Sequence, residues 1–275
     1  MKAYLRTKDY SVSGESFTLV YDPILKGLAT QPQPNDLDLY YKSESYISHT
    51  DANKTLSDKL YQRVKKYSLK KKERLISKYC SKEKTLLDVG AGTGDFLLTA
   101  KQKGWNISGV EPNQDARLRA AEKGIALKTN MQMLPEQKYG AITLWHVLEH
   151  LPDLGDQIKN LVLRLREDGT LVIAVPNYKS YDAKHYGEYW AAYDVPRHLW
   201  HFSKASIQSI FAEHGLKVVS IKPMIFDSFY VSLLSEKYKT GRQNYFMAFA
   251  IGLLSNIKAL ASKEYSSHIY VLQRA

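Results

Sequence analysis

The chain has 275 residues, 44% of them hydrophobic, with a single cysteine and a formal net charge of +11. That length and apolar content can bury a sizeable core as one large domain or a domain with an appendage. Cys80 alone excludes an internal disulfide framework and any CxxC metal or redox motif, which fits a reducing compartment, and the chain is read as cytoplasmic. The first residues, Met1-Lys2-Ala3-Tyr4-Leu5-Arg6, lack the apolar centre of a signal peptide, and no run of about twenty apolar residues predicts a transmembrane segment.

Taken in order, residues 1–50 predict a β-rich or irregular cap, with alternation in Ser16-Phe17-Thr18-Leu19-Val20-Tyr21 and a turn-rich break at 31–36. The run at 40–51, rich in tyrosine and hydroxyl groups, folds over a ligand or packs as an amphipathic segment; both readings stay open. From Asn53 the pattern is helical, with Leu56, Leu60, Val64 and Tyr67 on one stripe and Lys59, Arg63, Lys66 and Lys70 on another. Residues 59–84 carry eleven Lys or Arg against Glu73 and Glu83, an excess of nine that leaves the remainder close to neutral. A solvated helix face accounts for this, and a track for nucleic acid or another anionic surface is the alternative.

Next comes Thr85-Leu86-Leu87-Asp88-Val89-Gly90-Ala91-Gly92-Thr93-Gly94-Asp95-Phe96-Leu97, a buried strand running through a glycine turn into a helix. The glycines do not follow the G-x-G-x-x-G dinucleotide spacing, because Gly90, Gly92 and Gly94 alternate. Strand and helix then alternate: a helix to about 103, a strand at 107–111 ending in Glu111, a helix at 114–123 and a strand at 125–128. Such βαβαβ order implies right-handed crossovers and a parallel sheet whose ligands bind at the carboxyl ends of the strands. An acid at the end of the second strand is placed to take both hydroxyls of a ribose. A strand at 141–144, a helix at 154–166, a turn at 167–169 and a strand at 170–175 continue the series.

Leu-Asp-Val-Gly-Ala-Gly-Thr-Gly at 87–94, Gly-Val-Glu-Pro-Asn at 109–113, Leu-Trp-His-Val-Leu-Glu-His-Leu-Pro-Asp at 144–153, then Asp-Gly-Thr-Leu and Val-Pro-Asn, resemble the class I S-adenosylmethionine-dependent methyltransferases, in the branch that includes quinone-biosynthesis O-methyltransferases. The resemblance covers roughly 86–222. It implies a Rossmann-like, doubly wound α/β fold with a mostly parallel seven-stranded sheet, here with an N-terminal cap and basic helix over 1–70 and the methyltransferase domain over 71–275. It also implies that S-adenosylmethionine is the cofactor and a small molecule the methyl acceptor.

By the same resemblance, the glycine loop (Gly90, Ala91, Gly92, Gly94) lies along the methionine part of the cofactor and Glu111, followed by Pro112, takes the ribose. Asp88 reaches the cofactor amino group through water or serves as a structural carboxylate. Asn130 stands where the family usually has an adenine-binding aspartate, and Met131 packs on the base. His146, Glu149 and His150, spaced i, i+3 and i+4, suit a metal site or a general base with its orienting partner. Certain quinone O-methyltransferases resemble this with an acid, Glu, His trio that binds a divalent ion; position 146 is His here, and no metal is assigned. His146, directly after the strand end, is the first candidate for cofactor contact, substrate contact or base.

The segment 178–202 is long, without clear periodicity and dense in aromatic residues, which predicts a substrate loop with Trp190, Arg197 and His198 as contacts or as structural stacking. A helix capped by Ser203, a strand at 216–221, a helical insertion at 226–262 containing an apolar helix at 245–254, and a last antiparallel strand at 268–272 complete the chain. Two further readings stand beside a small-molecule enzyme. One is an RNA methyltransferase using the basic helix, and the other is a non-catalytic cofactor-binding partner protein that docks through the apolar helix.

Overall fold

The structure, a computed structural model, describes residues 2–41, 56–80 and 83–275. Most of the tyrosine- and hydroxyl-rich run, from 42 onward, and the expected helix start at Asn53 lie outside the described residues. The central layer is a six-stranded sheet. β4 (Thr85–Val89) lies between β5 (Asn106–Val110) and β6 (Tyr139–Trp145), followed outward by β7 (Leu165–Pro176), β10 (Ser267–Arg274) and β9 (Leu216–Pro223). β5, β4, β6 and β7 run parallel, while β10 is antiparallel to both β7 and β9. Every residue of β4 is buried, as its unbroken apolar run predicts for a strand covered on both faces.

The expected seventh strand at 125–128 reduces to one parallel bridge, Val110 to Lys128. Backbone N–H groups of Glu111 and Lys128 still bond across to Lys128 and Gly109 carbonyls, at 2.9 and 3.0 Å, so the segment follows the edge without forming a ladder. Short crossovers place α2 (Asp95–Lys101), α3 (Gln114–Glu122) and α4 (Leu154–Arg164) around the sheet. The basic helix is one continuous α1 (Leu56–Tyr79) that passes residue 70 without a break. It is anchored by buried Ile76 and by Glu73, whose carboxylate accepts from Ser77 Oγ at 2.7 Å and from the Trp105 indole at 3.4 Å.

The cap is an antiparallel meander of β1 (Ala3–Lys8), β2 (Ser16–Asp22) and β3 (Gly27–Gln31), and a fourth strand, β8 (Trp200–His201), joins it from the 178–202 segment. That segment is therefore ordered framework, containing α5 (Tyr181–Tyr186) and two short 3₁₀ turns. Two buried polar nodes hold it. Arg197 reaches Asp9 at 3.1 Å, Asp194 at 2.6 Å and the Tyr40 carbonyl at 3.1 Å, so cap and loop meet on one guanidinium. Asp182, fully buried, accepts from the Trp190 indole at 2.8 Å, Ser255 at 2.7 Å and Ser266 at 2.6 Å.

After α6 (Lys204–Ala212), with its Ser203 cap, and β9, the expected insertion forms the hairpin of α7 (Asp227–Thr240) and α8 (Tyr245–Ser262). Gly252 permits their contact, since a Cβ there would stand 2.8 Å from the Phe229 ring and 3.1 Å from its backbone nitrogen. α8 extends well beyond the predicted 245–254. At 18 residues it is long and apolar enough by length and composition to reach the lower limit for a spanning helix, with 28% of it buried. One face packs on the domain through Ala248, Ile251, Ser255 and Ala259, and the other exposes Phe246, Phe249, Ile257 and Leu260.

Burial alone would raise the Asp9 carboxyl, but the N–H groups of Ser13 and Ser11 and the Arg197 guanidinium outweigh it and lower the pKa from 3.8 to about 2. A carboxylate depressed in the folded state stabilises above its unfolded pKa, and that contribution disappears as pH falls through the folded value. Asp9→Asn should therefore cost on the order of 2 kcal/mol at neutral pH, with the gap to wild type closing between pH ~4 and ~2 in thermal unfolding followed by circular dichroism. A gap that stays constant over that range would contradict this role for the node.

Candidate active site

The carboxyl ends of β4, β5 and β6 build the site. Gly90, Gly92 and Gly94 have φ of 70°, 52° and 75°, the left-handed region open to glycine at little cost. At Gly90 space is closed as well, because a Cβ would fall 2.4 Å from Val147 Cγ2. Gly92 differs in that its Cβ direction meets no atom within 4 Å, so the backbone there lines open space. Gly90 and Ala91 donate to the Val110 carbonyl at 2.9 and 3.0 Å, tying the turn to the end of β5.

Glu111, 9% exposed, spans the two loops: one carboxylate oxygen accepts from Gly92 N–H and the other from Asn113 N–H, both at 2.9 Å. The neighbouring Pro112 is exposed and its carbonyl accepts from Arg117 at 2.6 Å. Asn130 caps the short turn Met131–Met133, accepting from Met133 N–H at 3.2 Å, and Met131 is buried beneath it. Asp88 is buried and accepts from Thr143 Oγ1 at 2.6 Å. Burial drives its carboxyl upward, partly offset by the Thr143 hydrogen bond and the Lys72 charge. Lys72, on α1, lies 4.2 Å above the Trp145 ring, and burial lowers its pKa against the opposing pull of Asp88 and Asp227. One lysine of the basic run thus points into the site, and a second, Lys65, pairs with Asp95 at 2.7 Å.

His146 follows β6 with φ of 58°, held by its N–H bond to the Ala174 carbonyl at 2.9 Å. Both ring nitrogens face carboxylates, Nε2 to Asp227 at 3.1 Å and Nδ1 to Glu149 at 3.5 Å. Burial pulls its pKa down, but the hydrogen bonds and charges of Asp227 and Glu149 prevail and raise it to about 10. In this arrangement His146 is an imidazolium, with no lone pair to act as base.

His150 and His198 stand edge to face with ring centroids 4.5 Å apart, beside Glu149, which is 1% exposed. Of the three residues read as substrate contacts, only His198 therefore joins the 146–150 turn. Trp190 and Arg197, 2% and 3% exposed, are committed to the Asp182 and Asp9 nodes, and their polar atoms face protein. Lys72, Thr143 and Asp227 escaped the sequence reading. Lys72 is one lysine in a run of them, Thr143 is an ordinary strand residue, and an acid opening a helix is common on dipole grounds alone.

A family model described as a methyltransferase domain matches residues 61–221. Among curated relatives, the ubiquinone biosynthesis O-methyltransferase of Salmonella paratyphi A is 30% identical over 104 residues, which is 34% of this chain and 43% of that protein. The matched stretch thus spans less than half of that relative. Among solved structures, the magnesium protoporphyrin IX methyltransferase from Synechocystis with bound S-adenosylhomocysteine superposes with a TM-score of 0.57 at 12% identity, covering 86% of this chain and 97% of that one. The geranyl diphosphate C-methyltransferase from Streptomyces coelicolor gives 0.52 at 15% identity, with 75% and 76% covered. These two likenesses concern the fold; the family model, which covers more than half of the chain, establishes that the protein belongs to the methyltransferase-domain family, whose methyl donor is S-adenosylmethionine.

Proposed function

We propose that the protein moves the methyl group of S-adenosylmethionine to an oxygen of a small or medium-sized acceptor. The observation that carries this reading is the open space at Gly92 beside the Glu111 carboxylate, at the carboxyl ends of parallel strands, the end of the sheet at which the His146–Asp227 pair follows β6. Glu111 takes the ribose hydroxyls there, and Met131 lies under the adenine, with Asn130 and Pro112 at its edge. The Gly90, Ala91 and Gly94 backbone shapes the turn, Asp88 orders the amino end, and Lys72 offers a cation to the cofactor carboxylate. The names of the curated relatives favour oxygen as the attacked atom, although the geranyl diphosphate enzyme shows the fold also serving carbon.

In the transfer the acceptor oxygen forms a bond to the methyl carbon while the carbon–sulfur bond breaks, and S-adenosylhomocysteine leaves. The cofactor supplies the reactivity; the chain supplies alignment and exclusion of water. His146, whose two ring nitrogens face Glu149 and Asp227, contributes a fixed positive charge beside the developing product rather than a base. The acceptor's proton, where it is a hydroxyl, leaves to the Asp227 carboxylate as the oxygen attacks. Of the basic helix, Lys65 and Lys72 turn their charges inside the domain, while Arg63, Lys66, Lys70, Lys71, Arg74 and Lys78 are exposed, as on a solvated face; RNA as acceptor is the alternative that such a face would serve.

Incubation with labelled S-adenosylmethionine and a panel of phenolic and carboxylic acceptors, read by mass spectrometry, should yield an O-methylated product, whereas transfer to RNA alone would overturn the proposal. Glu111→Ala should weaken cofactor binding by at least ~10-fold, since two hydrogen bonds to a charged group are lost. Asp227→Asn should bring the His146 titration, followed by NMR, down from about 10 toward the ordinary value near 6.5, because a main stabiliser of the imidazolium is gone. An unmoved titration would show that Asp227 does not set its charge.

A further inference from the structure

The proposed transfer leaves two features of the chain unused, the exposed face of α8 and the exposed cations of α1. Phe246, Phe249, Leu253, Ile257 and Leu260 recur at steps of three and four residues, so they form one stripe, on the side of α8 away from the buried Ala248, Ile251, Ser255 and Ala259. Phe246 is 82% exposed and Leu260 63%, so the stripe faces outward along the whole helix. A contiguous apolar face of this kind marks a surface that something covers. The opposite face is fastened by polar groups. Ser255 Oγ donates to the buried Asp182 at 2.7 Å, Asn256 donates to the Ile225 carbonyl at 2.9 Å, and Gly252 packs against Phe229. Pulling α8 out to cross a bilayer would break these bonds and set Asp182 adrift, so the helix keeps its seat and offers only the stripe.

Charge selects what covers the stripe. The acids of segment 224–263 are Asp227 and Glu236, and both face inward: Glu236 is 4% exposed and Asp227 stands 3.1 Å from His146. Its cations, Lys237, Lys239, Arg242, Lys258 and Lys263, are all exposed, with Arg242 shortly before α8 and Lys263 directly after it. The start of the hairpin also touches the basic helix. The Phe226 ring meets Tyr67 of α1 edge-on at 6.2 Å, and Lys71 Nζ stands 5.7 Å above the same Tyr67 ring. A second copy of the chain is a poor occupant, because pairing two α8 stripes in either direction sets Arg242 or Lys263 against another cation. RNA would engage the cations and leave the phenylalanines and leucines in water. An anionic bilayer takes both, with apolar side chains at the acyl boundary and cations among the phosphates. We propose that the α7–α8 hairpin docks the protein on an anionic phospholipid surface, with α8 lying in the plane of the interface and its stripe inserted. Asp227, the first residue of α7, pairs with His146, so the docked hairpin is joined directly to the site.

The test uses the full chain with vesicles of phosphatidylcholine, alone or mixed in equal parts with phosphatidylglycerol, and reads bound protein by flotation. The mixed vesicles should bind at least ~10-fold more tightly than phosphatidylcholine, with affinity falling as salt rises, since each Lys or Arg near an anionic surface contributes roughly fivefold. Alkaline carbonate should release the protein, as it does a helix that lies on a bilayer rather than across it. Phe246→Ser combined with Phe249→Ser should cut binding to the mixed vesicles by at least ~10-fold, because two aromatic rings no longer enter the acyl boundary. Lys237→Glu combined with Arg242→Glu should cut it by a similar factor and leave the weaker binding to phosphatidylcholine unchanged. All four side chains are exposed and none builds the site, so circular dichroism and calorimetry with S-adenosylhomocysteine should match wild type in both variants. Those two readouts separate loss of docking from loss of fold or of cofactor binding. The proposal is overturned if the wild-type chain ignores the mixed vesicles, binds both kinds equally, resists carbonate, or still binds after the phenylalanine substitutions. A dimer that the same substitutions abolish, or salt-dependent RNA binding, found without vesicle binding, would overturn it in favour of a second copy or of RNA.

Discussion

The contact on which the site depends is the bridge made by the Glu111 carboxylate, one oxygen on Gly92 N–H and the other on Asn113 N–H. It fixes the separation of the loops after β4 and β5, and it is available only because three left-handed glycines bring the backbone around without side chains in the way. A charge-assisted bond of this kind is strong in a partly dry cleft. The carboxylate is thus held by backbone N–H groups of both loops. Val147 closes the turn from below, at the start of the segment that carries His146, Glu149 and His150, so cofactor cleft and polar cluster are set by the same few atoms.

Around that centre the chain uses buried charge as fastening. Asp182 gathers a tryptophan, a helix serine and the serine just before β10, while Arg197 gathers the cap and the loop. Removing one member of such a node leaves the others in low dielectric with fewer partners, at a cost set by what remains; Arg197 keeps Asp194 when Asp9 is lost. The cap is therefore tied into the fold through the 178–202 segment, from which His198 stands against His150.

How far the sequence reads ahead follows from the range of each interaction. The parallel core was legible because unbroken apolar runs and glycine turns are local signals, and the position of Glu111 directly after β5 was legible because strand ends are. The insertion at 226–262 was legible for the same reason, although α8 ran farther than its most apolar stretch. The nodes were not. Trp190 and Arg197 looked like contacts for a ligand because aromatic and guanidinium groups in a long loop need polar partners, and the partner of Arg197 lies 188 residues away in the chain. Lys72 was hidden for the opposite reason, since nothing in a run of lysines distinguishes the one that turns inward. His146 was placed correctly in the fold, but its charge was set by Asp227, on a helix that only the tertiary structure brings beside it.

The central claim is that the cleft between Gly92 and Glu111 is built for one methyl donor. Titration calorimetry of the wild-type chain with S-adenosylhomocysteine, run beside an identical titration with NAD, tests it most directly. Saturable binding of S-adenosylhomocysteine, with NAD silent, is the predicted result. Preference for NAD, or no heat with either S-adenosylhomocysteine or S-adenosylmethionine, would contradict it.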